Sequence, residues 1–437
     1  MWSPRCPTRM LKRIDVSHLS QGMFIHEFCG SWMEHPFWRT RFLLKSDHDL
    51  RRIRGSSIQE VWIDTDRGLD VAPHAPATTR SEADDAIDSA LASIDAQPGA
   101  LTAAPSVPSA PRRADRGPAT MTEELHRASA ICHTAKTAVV SMFREARMGQ
   151  AIDARDAASL VEEISGSLTR NPGALISLAR LKTANEYTYM HSVAVSALMV
   201  ALARQLGLDA ATVQQAGMAG LLHDLGKAGI ADAILNKPGA LTDEEFDTMR
   251  SHPALGHAML RPCGLAPQVL DACLHHHEKI DGTGYPHRLM GSDVHLLARM
   301  SAICDVYDAI TSNRPYKAGW DPSESLRRMA EWTKGHFDSR LFQAFVKCMG
   351  IYPTGSLVRL SSGHLAIVLE QSPGTLLAPR VRAFFSLSSG LRIAPETMDL
   401  SDPGCGEKIL GREDPSQWNF PDLHRLWGEP GGATIAR

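Results

Sequence analysis

The chain has 437 residues, 43% hydrophobic and 22% charged, which is ordinary globular usage and excludes a wholly disordered chain. A prior of roughly 100–200 residues per domain divides that length into two or three domains. The formal net charge of -3 supplies no basic surface for a nucleic-acid polymer or an anionic membrane, so any nucleotide ligand has to meet local positive charge.

Taken in chain order, the basic residues Arg5, Arg9, Lys12 and Arg13 have no apolar segment behind them, and no secretory signal is expected. From Leu11 to Val71, alternating segments such as MFIHEFCG and EVWIDTDRG predict a small β-rich domain. Residues 72–119 shift to Ala, Pro, Ser and Asp with few large apolar side chains, which predicts a disordered linker. Apolar residues then recur at three- and four-residue steps from Met121 to Tyr352, the mark of an all-α central domain. Two β-type runs around Ser361-Ser362-Gly363 predict a hairpin appendage over residues 353–400, and the Gly-, Pro- and charge-rich residues 401–437 a flexible tail. The fold class is therefore mainly α. The longest nearly apolar run, Val193 to Ala203, is well short of the roughly 20 residues that cross a bilayer. Eight scattered cysteines without a CxxC pair read as reduced thiols of a cytoplasmic protein.

Chemistry concentrates in the helical domain, where nine of the 19 histidines lie between His191 and His295. His191 falls on the inward stripe that continues through Val195, Leu198 and Leu202; a histidine alone in that setting is more often a hydrogen-bonded core residue than a ligand. His223-Asp224 closes an amphipathic helix in AGMAGLLHDLGKAGI, with Gly226 as a stop and Lys227 three residues beyond Asp224. His252, in RSHPAL, reads by itself as a helix cap. The segment PQVLDACLHHHEKIDGTGYP ends a helix in His275, His276, His277 and Glu278, a run that packing seldom demands; a surface metal-scavenging tract is the competing account. Asp305 sits in the apolar helix of LARMSAICDVYDAITSNRPYK, where an unpaired carboxylate is costly to bury and calls for a cation. Imidazoles and carboxylates are metal ligands, and a carboxylate shared by two cations holds both against one phosphate.

The ordered set His191, His223-Asp224, Lys227, His252, His276-His277 and Asp305, with HHEKIDGTGYP and DVYDAITSNRPYK, resembles the HD-GYP subgroup of the HD phosphohydrolase superfamily from about Tyr187 to Tyr352. The Leu11 to Val71 region resembles the small uncharacterised domain often fused ahead of such modules. The resemblance implies an all-helical bundle with two divalent metal ions, iron or manganese. One is held by His191, His223, Asp224 and Asp305 and the other by His252, His276 and His277, with Asp224 bridging. Where some members carry a third-metal glutamate this chain has Tyr187, with Glu186 out of register, so two ions are expected. It further implies hydrolysis of cyclic di-GMP to pGpG or onward to GMP, with Asp224 and Lys227 in catalytic roles. Gly284 and Tyr285 of the signature loop, together with Arg314 and Lys317, are its implied substrate contacts. Asp308 is expected only to anchor a loop. Signalling partners such as diguanylate cyclases and a dimeric state stay open, as do two other functions: a weakly catalytic cyclic di-GMP-binding module, and a different HD-superfamily phosphohydrolase.

Overall fold

The computed structural model describes residues 10–29, 41–56, 58–96, 119–180, 187–237, 239, 241–312, 319–333, 335–372 and 374–428. Its contacts divide into two units, Met1–Ala90 and Leu91–Arg437.

The first unit is a five-stranded antiparallel sheet in the order β3-β2-β4-β1-β5, made of β1 (Leu11–Asp15), β2 (Phe24–Phe28), β3 (Phe42–Leu43), β4 (Glu60–Asp64) and β5 (Thr78–Thr79). Helix α1 (Asp47–Arg54) is started by the Ser46 side chain, which accepts from the His48 amide, and turns Ile53 inward. Ile14, Ile25, Ile53, Val61 and Ile63 form the core, each such side chain contributing about 1.5–3 kcal/mol on burial.

The linker expectation over residues 72–119 needs correction, because α2 (Arg80–Ala96) lies inside it. The average composition hid a helical stripe: Ala83, Leu91 and Ile94 are buried at steps of eight and three. Residues 97–118 of that expectation lie outside the described residues.

The second unit is a helical bundle followed by a sheet. Its helices are α3 (Met121–Arg147), α4 (Ala154–Arg170), α5 (Pro172–Arg180), α6 (Tyr187–Gln205), α7 (Ala210–Leu222), α8 (Asp232–Leu235), α9 (Asp243–Arg250), α10 (His252–Leu260), α11 (Pro267–His275), α12 (Leu296–Thr311), α13 (Pro322–Trp332) and α14 (Ser339–Met349). The described part of α6 is buried almost all round, as a central helix must be. α7 crosses it closely because Gly217 and Gly220 present no side chain: a Cβ on Gly220 would stand 2.8 Å from the Ser196 backbone. The Ser196 hydroxyl donates to the Gly217 carbonyl at 2.8 Å and fixes the crossing.

Buried Glu124 on α3 ties that helix to α4, accepting from Ser167 Oγ at 2.7 Å and from Arg170 Nε and Nη2 at 2.8 Å. Burial pushes its carboxyl up, but the Arg170, Ser167 and Arg127 donors outweigh that and hold it below 4.5. Glu124→Gln is expected to cost about 2 kcal/mol at pH 7, the scale of a charge-assisted hydrogen bond. A carboxylate with a depressed folded value contributes stability above the unfolded value of 4.5 and loses it as pH falls through the folded one. Urea melts should therefore show the variant and parent converging in acid.

Beyond α14 the chain forms a second antiparallel sheet, ordered β10-β6-β7-β8-β9: β6 (Leu357–Leu360), β7 (His364–Ser372), β8 (Thr375–Ser386), β9 (Leu391–Asp399) and β10 (Ile409–Arg412). The β6–β7 turn is the expected one, with Gly363 at φ +78. The appendage is larger than a hairpin, and the flexible tail from residue 401 is corrected as far as Gly428. β10 belongs to the structure through its pairing with β6, and α15 (Leu423–Gly428) because Leu423 and Leu426 pack, with Trp418 and Phe420, against the cluster that holds Leu357, Leu365, Ile367 and Phe384. Gly and Pro there mark turns between aromatic anchors. Among the described residues no helix is long and apolar enough to cross a membrane.

Candidate metal centre

Four helix ends and one helix interior converge inside the bundle. His191 comes from the first turns of α6, His223 and Asp224 from the end of α7, and His252 from the start of α10. His276 and His277 follow α11, and Asp305 lies within α12. All seven side chains are nearly closed to solvent. Asp305 is a carboxylate buried in an apolar helix, and its burial here fits the cation that the sequence called for.

The Asp224 carboxylate lies between two sets of donors. Its Oδ2 is 3.6 Å from His191 Nε2 and 3.4 Å from His223 Nε2, while its Oδ1 is 3.2 Å from His252 Nε2 and 3.9 Å from His276 Nε2. Asp305 Oδ1 faces His191 Nε2 at 3.0 Å, and Asp305 Oδ2 is 3.9 Å from His277 Nδ1. Three groups consequently have ligand atoms near enough to share one ion: His191, His223 and Asp305; His252, His276 and His277; and His223, Asp224 and His276.

The ring orientations are set from behind. His223, His252 and His276 each point Nδ1 at a carbonyl three residues earlier, Gly220 at 2.9 Å, Met249 at 2.7 Å and Cys273 at 2.9 Å. A carbonyl only accepts, so Nδ1 carries the proton and Nε2 turns its lone pair into the pocket. His191 Nδ1 meets Asp308 Oδ2 at 2.6 Å instead. The expectation that Asp308 only anchors a loop is thereby corrected. It also receives the Ser312 hydroxyl at 3.3 Å, but its main contact orients His191. Its spacing of three from Asp305, one helical turn, was the available signal.

Charge in the pocket runs to extremes. Burial opposes ionisation of Asp224 and Asp305, yet Lys227, His223 and His252 around Asp224, and His191, His223 and His277 around Asp305, hold both carboxyls well below the usual carboxylate range. Burial and neighbouring imidazoles push His276 well below its ordinary value and His277 to about 3, so both are neutral bases at physiological pH. His223 Nε2 and Asp224 Oδ1 are buried without a hydrogen-bond partner. Orphaned acceptors aimed inward at this density fit divalent ions, which satisfy lone pairs that no proton donor reaches.

Lys227 follows on a 3-10 turn (Leu225–Gly229), its Nζ 2.5 Å from Asp224 Oδ2, and is no free surface lysine. Arg147 braces this turn through the Ala228 carbonyl and Asp232. α10 presses on the same turn through two glycines: a Cβ on Gly226 would fall 1.9 Å from the His252 carbonyl oxygen and 2.4 Å from the Gly256 nitrogen.

At the rim, Gly284 packs its backbone on residues 277–279, a Cβ there meeting the Lys279 nitrogen at 2.4 Å, and the Tyr285 amide donates to the His277 carbonyl. The Tyr285 ring stacks on His277 at 4.8 Å, with the Arg250 guanidinium 5.2 Å from its own centroid. Glu278, part of the HHE run but given no role from the sequence, accepts the His287 and Leu289 amides and holds the far side of that loop. Arg314, Lys317 and Glu186 lie outside the described residues.

Comparison with known proteins places these features among relatives. The family profile described as HD domain matches residues 167–341, and one described as a domain of unknown function (DUF3391) matches residues 11–157. A cyclic di-GMP phosphodiesterase of Pseudomonas aeruginosa is 53% identical over 420 residues, 96% of each chain. The cyclic di-GMP phosphodiesterase response regulator RpfG of Xanthomonas campestris is 37% identical over 178 residues, 39% of this chain and 47% of that one. A 3'3'-cGAMP-specific phosphodiesterase of Vibrio cholerae is 34% identical over 167 residues, 38% of this chain and 36% of that one.

Proposed function

Since the chain belongs to the HD-GYP family of cyclic di-GMP phosphodiesterases, we propose that it hydrolyses cyclic di-GMP to linear pGpG, and onward to GMP, at a two-ion centre bridged by Asp224. What carries this is the Asp224 carboxylate, whose two oxygens face two different histidine sets. His191, His223, Asp224 and Asp305 would hold one ion, and His252, His276 and His277 the other, with Asp224 shared between them. Mixed imidazole and carboxylate donors suit iron or manganese. Such a pair supplies an acidified water and neutralises phosphate oxygens.

The protein's own groups do the rest. Lys227 sets a positive charge beside Asp224 at the pocket's edge, where it stabilises charge growing on the phosphate and on the departing 3′ oxygen. Tyr285, held by His277 and Arg250, lines the substrate cleft, and Gly284 lets the loop backbone come close to the site. Arg314 and Lys317 contact the phosphates. Cys263, Cys273, Cys304, Cys348 and Cys405 are free thiols, which supports action in the reducing cytoplasm.

The test is full-length protein loaded with Fe(II) or Mn(II) under anaerobic conditions, given cyclic di-GMP and 3'3'-cGAMP separately, with products resolved by chromatography. Linear pGpG is expected, formed faster than the product from 3'3'-cGAMP; cyclic di-GMP bound but unchanged would make the protein a receptor instead. Lys227→Met should lower kcat by about 10²-fold while metal content stays at the parent level.

A further inference from the structure

A second group of metal-binding side chains lies on the outer side of the signature loop. His275, the last residue of α11, Glu278 and His287 have ligand atoms within 4.8 Å of one another. His275 Nε2 faces His287 Nδ1 at 2.9 Å, and His275 Nδ1 contacts Asp271 Oδ1 at 2.9 Å. These groups are separate from the Asp224 ligands, because successive residues at a helix end point about 100° apart and His275 turns away from His276.

We propose that His275, His287 and Glu278 bind one further divalent cation of the zinc class, and that this ion clamps the loop carrying Gly284 and Tyr285. Two imidazoles and a carboxylate are a zinc donor set. Asp271 behind His275 is the carboxylate that commonly orients a metal-bound imidazole, and its Oδ2 is buried with no hydrogen-bond partner. Glu278 accepts the His287 and Leu289 amides on different oxygens, which leaves about half of its four lone-pair positions for an ion. Imidazole nitrogens on one tetrahedral zinc stand roughly 3.3 Å apart, so the exposed His287 ring has to swing only slightly outward from its present contact. Solvent reaches that ring, and with it the site. The ion would join the end of α11 to the residue just past the Tyr285-Pro286 pair, closing the loop at both ends.

The experiment counts zinc by elemental analysis in desalted full-length protein after titration with zinc alone. The parent is expected to bind one equivalent more than His287→Ala, and Asp271→Asn to bind that equivalent about 10- to 100-fold more weakly. Asp224→Asn should retain the His287-dependent equivalent, which separates this site from the two-ion centre and from its proposed activity. Equal zinc counts in the parent and His287→Ala overturn the proposal and reduce the cluster to a hydrogen-bonded chain. So does disappearance of the extra equivalent in Asp224→Asn protein whose circular dichroism matches the parent.

Discussion

Asp224→Asn is expected to lower the rate of cyclic di-GMP hydrolysis by at least about 10³-fold, the upper end of what one preorganised charged contact contributes. The substitution preserves shape, so the bundle should remain folded. It removes the negative charge and one of the two oxygens that face His191 and His223 on one side and His252 and His276 on the other. An amide nitrogen turned to either side repels an ion there, and the Lys227 ammonium 2.5 Å away loses its partner. Metal per chain should fall with the rate when both are measured on one preparation. Parent-like turnover with a full metal complement would end the bridging assignment.

Gly226→Ala is expected to be nearly as damaging, although the residue touches neither ion nor substrate. A methyl group at that position would sit 1.9 Å from the His252 carbonyl oxygen, a backbone atom that no rotamer change removes. Relief requires α10 to retreat, and His252 is its first residue. The group His252, His276 and His277 should then lose its ion while His191, His223 and Asp305 keep theirs. Metal analysis should show about half the parent content, and hydrolysis should fall by about 10²-fold or more, since in-line attack needs both ions. A crystal structure of the variant with His252 unmoved and both ions bound would refute this account.

The converging residues were legible because several stand where packing alone seldom puts them: His191 on a core stripe, Asp305 in an apolar helix, a run of histidines at a helix end. His252 looked like a cap, but Ser251 is the N-cap of α10 and His252 its first residue; its place in the pocket depends on Gly226 meeting Gly256, a contact between segments 30 residues apart. The parts of the site that escaped sequence reasoning, Asp308 behind His191 and Glu278 under the loop, act through partners on other elements; the one-turn spacing of Asp308 from Asp305 places it on the same face but does not name His191. Outside the site, composition misled. A window rich in Ala and Asp concealed α2, whose few apolar residues share one face. Turn residues after β9 concealed Trp418 and Phe420, which close the second sheet.

The carbonyls behind His223, His252 and His276 have a consequence for metal choice. Each ring is latched by a carbonyl of its own helical turn, so its orientation is set by the fold and not by an ion. Donors oriented in this way present the same lone pairs to every divalent ion. Zinc outranks iron and manganese in intrinsic affinity for such donors. The supply of each metal is therefore expected to weigh alongside the shape of the protein in which one is carried.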